Sequence, residues 1–146
     1  MNLAQFNIAI AKYALDTPEI KEFADNYESI YAIAEASDGF VWRLNHDSDD
    51  LTSLEKFDTP NMFVTMSVWT SVESLKEFMF KTRHRDFMSR RSEWFHHVSE
   101  DTYVLWWIED NHIPTVEEGL DHLDYLRKHG DSPYAFTLKT NYTEAA

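Results

Sequence analysis

Residues 62–69, Met-Phe-Val-Thr-Met-Ser-Val-Trp, alternate strictly and run straight into Thr70-Ser71-Val72-Glu73. A period of two places Met62, Val64, Met66 and Val68 on one face of a strand and Phe63, Thr65, Ser67 and Trp69 on the other. The four residues that follow match a capping box, in which a hydroxyl and a carboxylate satisfy free amides at the start of a helix. That helix continues through Leu75, Phe78 and Met79. A strand that turns at once into a helix, repeated along a chain, leads to layered α+β or α/β folds.

The same reading extends in both directions. Leu3 to Ala11 alternates as a strand, with Ala4, Phe6, Ile8 and Ile10 opposite Gln5, Asn7 and Ala9. Asp16-Thr17-Pro18 starts a helix, since proline in the first turn forfeits no hydrogen bond. Ile20, Phe23, Tyr27, Ile30, Tyr31 and Ala34 form its stripe, and Gly39 is placed as its left-handed stop. Phe40 to Asn45 is a second strand. Residues 46–61 are acidic and irregular, and Asp47-Ser48-Asp49-Asp50 lacks the glycine and glutamate that a calcium loop requires. A further helix is expected from about Arg85 to His97, with Phe87, Met88, Arg91, Trp94 and Phe95 on its stripe. Thr102 to Glu109 is a strand whose run Tyr103–Ile108 is continuously apolar, expected to be buried on both faces. Thr115 and Glu118 form a second capping box before a helix striped by Leu120, Leu123 and Leu126 and stopped at Gly130. Residues 133–139 are read as a short fifth strand.

The order β-α-β-β-α-β predicts an α+β ferredoxin-like antiparallel sheet with helices on one face, extended by a C-terminal helix and tail. At 146 residues, with 43% hydrophobic content, the chain is the size of one domain, taken as residues 1–146. The uncovered sheet face would carry large aromatics, so burial by a second copy is expected, giving a homodimeric barrel. The chain has no cysteine, which excludes a disulfide framework and suits a reducing, cytoplasmic setting. No apolar run is long enough to span a membrane. A net charge of −13 argues against nucleic-acid and anionic-membrane partners.

Four of the thirteen basic residues, Arg83, Arg85, Arg90 and Arg91, nevertheless fall within nine positions. They serve either as a solvated face balancing nearby acids or as an anchor for a carboxylate or enolate. If Ala4, Phe6, Ile8 and Ile10 pack on the helices, then Gln5, Asn7, Arg43, Thr65, Ser67 and Trp69 point into the barrel. Such a polar set lines a pocket for a small hydrophobic or aromatic ligand. Asn7 would orient a carbonyl or oxyanion, Trp69 would form a flat wall, and His84 would act as a base. Arg43, Thr65, Ser67, Arg91 and Trp94 complete the expected binding residues. Each also has a structural reading: Asn7 as an interface hydrogen bond, Trp69 as core, Arg91 as a cation stacked on Trp94. No metal-ligand motif, phosphate loop or nucleophile elbow occurs, and no metal is expected.

Val68-Trp69-Thr70-Ser71-Val72-Glu73-Ser74-Leu75, followed by Phe78 and His84, resembles the strand-turn-helix signature of the antibiotic-monooxygenase-like dimeric α+β barrel superfamily. With Leu3-Ala4-Gln5-Phe6-Asn7, Phe40-Val41-Trp42-Arg43-Leu44, Arg91 through Trp94-Phe95, and Leu105-Trp106-Trp107, the chain looks like an uncharacterised bacterial family within it. The resemblance spans about residues 3–139. It implies a cofactor-independent, monooxygenase-like enzyme for a small aromatic or enolisable substrate. Haem-degrading relatives use an inward asparagine, a tryptophan and a histidine, so the resemblance also admits haem on His84. A non-catalytic ligand binder or biosynthetic helper is the third expectation.

Overall fold

The computed structural model describes residues 1–13, 17–44, 62–82 and 84–140. Arg83 and the acidic segment with Asp47-Ser48-Asp49-Asp50 lie outside the described residues. The alternating segments form one antiparallel sheet from β1 (Asn2–Ile10), β2 (Phe40–Arg43), β3 (Met62–Trp69) and β4 (Tyr103–Ile108), in the order β2-β3-β1-β4. This is the ferredoxin-like order expected of β-α-β-β-α-β. The helices are α1 (Lys21–Glu35), α2 (Val72–Lys81), α3 (His84–Ser89) and α4 (Val116–His129).

Register decides which side chains meet. Phe40, Trp69, Leu3 and Trp107 line up across the sheet, then Arg43, Ser67, Gln5 and Leu105, then Thr65, Asn7 and Tyr103. Directly opposed residues share a face, so all three rows point the same way. That face packs against α1 through Ile30, Ile33 and Ala34, and against α2 through Leu75 and Phe78. The other face carries Ala4, Phe6, Ile8, Val64, Met66, Val68, Val104 and Trp106, joined to Leu123 and Leu126 of α4. The faces are therefore assigned oppositely to the expectation from sequence. Gln5, Asn7, Thr65, Ser67 and Trp69 look toward α1 and α2.

The second face is not bare. Ala4, Phe6, Val64, Met66 and Val104 are each at most 1% exposed within the single chain. Fully burying such a side chain is worth about 1.5–3 kcal/mol, so the C-terminal helix removes the reason for a sheet-to-sheet dimer. Gly119 makes its approach possible. A Cβ there would lie 2.5 Å from Phe6 Cδ1, well inside van der Waals contact.

Local details refine the sequence reading. Ser71, not Thr70, caps α2, accepting from the Ser74 amide at 3.1 Å. Thr115 caps α4 as expected, but the Glu118 carboxylate meets His112 Nε2 at 2.6 Å. α1 ends at Glu35, four residues before Gly39. Gly39 instead turns the chain into β2 with φ +83°, where a Cβ would lie 2.2 Å from Ser74 Oγ. The helix expected over 85–97 stops at Ser89, a 3₁₀ turn covers Arg91–Glu93, and Phe95 bridges to Ala11. This places Trp94 in a separate cluster with Ile20, Phe23 and Phe87. The tail makes one bridge to β4, Phe136 with Leu105, in place of a fifth strand.

Candidate functional site

On the face toward α1 and α2, a polar band interrupts two apolar clusters. At one end Leu3, Trp69, Leu105 and Phe136 are buried beneath Ala34, Leu75 and Phe78. Toward the other, Phe63 of β3 meets Phe23 edge-on at 5.6 Å, beside Trp94 and Phe95. Between them lie Gln5, Ser67, Asn7 and Thr65, held in adjacent rows by the β1–β3 register. Asn7 and Thr65 are half-buried, and their side chains make no hydrogen bond among the described residues. Neither is among the sealed, unpartnered polar atoms of the described residues, so both stay open to water or to a bound molecule.

Gln5, Ser67 and Trp69 are joined. Trp69 Nε1 donates to Ser67 Oγ at 2.9 Å, and Ser67 donates to Gln5 Oε1 at 2.9 Å. Trp69 is fully buried, so its N–H serves this chain and is not presented to a ligand. Its ring is enclosed by the protein itself, with Phe40 edge-on at 5.6 Å. It stacks on Phe78 at 5.2 Å and 22°, and Phe78 meets the His84 ring at 4.9 Å.

His84 sits at the start of α3, where the end of α2 positions it. The Thr82 hydroxyl donates to the Phe78 carbonyl and accepts from the His84 amide. The imidazole Nδ1 lies 3.3 Å from the Met79 carbonyl. Burial lowers the His84 pKa below its ordinary 6.5, opposed by the Met79 carbonyl. A neutral ring whose Nδ1–H donates to that carbonyl leaves the Nε2 lone pair as a base. Trp69 and His84 are thus brought together through Phe78. Asn7 lies two rows from Trp69, and no hydrogen bond joins it to either.

The arginines behave differently from the sequence expectation. Arg43 shares the Ser67 row, but its guanidinium binds Glu35 at 2.6 Å and Glu28 at 3.4 Å and lies 4.3 Å from the Tyr31 ring centre. It fastens α1 to the sheet edge. Arg90, rather than Arg91, stacks on Trp94, at 4.8 Å, and it grips Glu22 through two 2.7 Å bonds and Glu93 through two more at 2.7 and 3.1 Å. These pairings lower the Glu22 and Glu93 pKa values and raise that of Arg90. Arg91 is exposed, and Trp94 is buried in its own cluster. Neither joins the polar band.

By sequence alone Gln5 belongs to the polar set lining the pocket without a specific partner, and Phe78 to a helix stripe. The signal for Gln5 is its alternation with Ala4 and Phe6, which puts it on the same face as Asn7. Among the described residues no group of three or more His, Asp or Glu side chains is arranged to hold a metal ion. No helix among them is long and apolar enough to cross a membrane.

A family described as "Domain of unknown function (DUF3291)" matches residues 2–146. No curated protein matches the chain. Among solved structures, NE2512, a protein of unknown function from Nitrosomonas europaea, is similar over 78% of this chain and 95% of its own, at 15% identity and a TM-score of 0.50. SnoaB, a cofactor-independent oxygenase from Streptomyces nogalater, is similar over 75% of this chain and 95% of its own, at 14% identity and a TM-score of 0.49. Likeness at such identity speaks to fold alone.

Proposed function

We propose that this chain, which belongs to the DUF3291 family, binds a small aromatic or enolisable molecule between its sheet and the α1–α2 layer and oxidises it without a cofactor. The observation that carries this reading is His84: a neutral imidazole, pinned at Nδ1, against the Phe78 ring, which itself stacks on Trp69. Asn7 and Thr65 offer neutral polar groups on the facing sheet. The reading extends the resemblance to the antibiotic-monooxygenase-like barrels from fold to chemistry.

The chemistry balances as follows. His84 Nε2 takes a proton from an activated methylene, leaving an enolate. The enolate passes one electron to dioxygen, and the two radicals combine to form a C–O bond. The resulting hydroperoxide recovers the proton from His84. Loss of the second C–H proton then breaks the O–O bond, giving a carbonyl and one water for each dioxygen consumed. The protein's part is to hold the base, exclude water and favour the anion.

Haem is less well supported by these residues. His84 Nε2 would suit an axial ligand, but Arg43 and Arg90 are already paired with Glu28, Glu35, Glu22 and Glu93. These two arginines are therefore already engaged and are not free to hold haem propionates. A homodimer stays part of the proposal, but α4 occupies the face on which sheet-to-sheet contact was expected. Native mass spectrometry tests it directly.

2-Tetralone, an aromatic ketone with an acidic methylene, is a suitable probe. The protein should accelerate deuterium exchange at that methylene and dioxygen uptake above the protein-free rate, and His84→Ala should remove both. Binding with neither exchange nor uptake would establish a non-catalytic binder instead. A Soret band that appears on haem titration and is lost in His84→Ala would favour haem.

A further inference from the structure

We propose that Gln5 receives the carbonyl or enolate oxygen of the ligand, and that Trp69 and Ser67 fix the direction in which its amide faces. This deepens the reading above and rests on it for the location of the ligand. It assigns a recognition group and, with it, a chemical class of ligand.

The Trp69 indole can only donate. It donates to Ser67 Oγ, so Ser67 must send its single hydrogen elsewhere. Gln5 Oε1 takes it at 2.9 Å. Reversing the Gln5 amide would leave a hydroxyl hydrogen that is only 8% exposed as a residue with no acceptor there, and a buried unsatisfied donor is disfavoured. The relay therefore sets the amide with Oε1 toward Ser67 and the amine outward. That amine donates to no group among the described residues, and it is not among their sealed, unpartnered atoms. Gln5 sits one row from Asn7 and Thr65, in the polar band.

What such a donor prefers follows from its surroundings. A carbonyl oxygen that gains charge as an enolate strengthens its hydrogen bonds as it forms. A permanent carboxylate fits less well, because the cation of this row, Arg43, is already compensated by Glu28 and Glu35. The band thus selects ketones and their enolates over carboxylic acids. Trp69, fully buried and with no N–H to spare, acts on Gln5 as a positioning residue.

Binding of 2-tetralone and of tetralin, its oxygen-free counterpart, provides the test. The wild-type protein should prefer 2-tetralone, and the Gln5 side-chain amide resonances should shift on titration. Gln5→Leu should lower 2-tetralone affinity about ten-fold, the worth of one neutral hydrogen bond, and leave tetralin affinity unchanged. Gln5→Glu, which exchanges the amine for an oxygen, should lose at least as much. Ser67→Ala frees the amide to reverse and should weaken the preference, while Ser67→Thr keeps the hydroxyl and should restore it. Equal affinities for the two probes in wild type, or a preference that survives both Gln5 variants, would overturn the proposal. Loss of deuterium exchange with the preference intact would instead remove the catalytic reading and leave the Gln5 assignment standing.

Discussion

The two faces of the sheet are made by the same strands yet are built for different ends. On the α4 side, Ala4, Phe6, Ile8, Val64, Met66, Val68, Val104 and Trp106 form an uninterrupted apolar surface. On the α1–α2 side, the same strands place Gln5, Asn7, Thr65 and Ser67 between two apolar clusters. Close packing maximises stability where nothing else is required. A polar band inside a layer sacrifices some of that stability, and such sacrifices concentrate where a molecule has to be held. In the proposed reading, one face serves the fold, and the other combines fold with recognition.

Adjacent residues of β1 offer the sharpest way to break this comparison. Phe6→Ala should cost about 3–5 kcal/mol, since it empties a fully buried site against Gly119 and α4. Asn7→Ala, one residue on, should cost less than about 1 kcal/mol, because its amide has no partner among the described residues to lose. Urea unfolding of both variants checks the contrast. Similar costs would show that the two faces are equally structural.

A second contrast lies within the polar band. Ser67→Ala should destabilise by about 1–3 kcal/mol, because it strands the buried Trp69 N–H. Ser67→Thr should recover most of that loss in the same unfolding experiment.

The third prediction concerns pH. The folded pKa of His84 is lowered, chiefly by burial. The unfolded chain therefore binds the proton more readily, and stability falls as pH drops from about 6.5 through the folded value. His84→Phe should flatten that part of the stability–pH curve, as followed by thermal unfolding from pH 7 to 5. An unchanged slope would mean that His84 is not held neutral by the fold.

The smallest effect is expected outside both faces. Arg90→Gln breaks the exposed clamp to Glu22 and Glu93, and should shift the melting temperature only slightly, less again in high salt. A large, salt-insensitive shift would make this clamp part of the core.

Much of the fold was legible because short-range rules govern it. Alternation located β1, β3 and β4, and the hydroxyl before Glu118 marked the start of α4. The helix expected over 85–97 was not legible. Phe87 and Trp94 have helical spacing, but Phe95 is drawn into a bridge with Ala11, more than eighty positions away in the chain. Such a contact leaves no local trace. Of the candidate site, Asn7, Thr65, Ser67 and Trp69 were correctly grouped on one face. Arg43 and Trp94 carried the right chemistry for binding but were claimed by Glu28, Glu35 and Phe23 through packing that spacing does not encode.

A period of two sorts the residues of a strand into two sets, and the sequence alone determined those sets. It carries no mark of which layer will cover each set. That was decided when α1 and α2 folded over Trp69 and Leu3, and when Gly119 let α4 settle on Phe6. The sets depend on backbone geometry within one strand. Their covers depend on the shape and volume of helices that only the folded chain brings together.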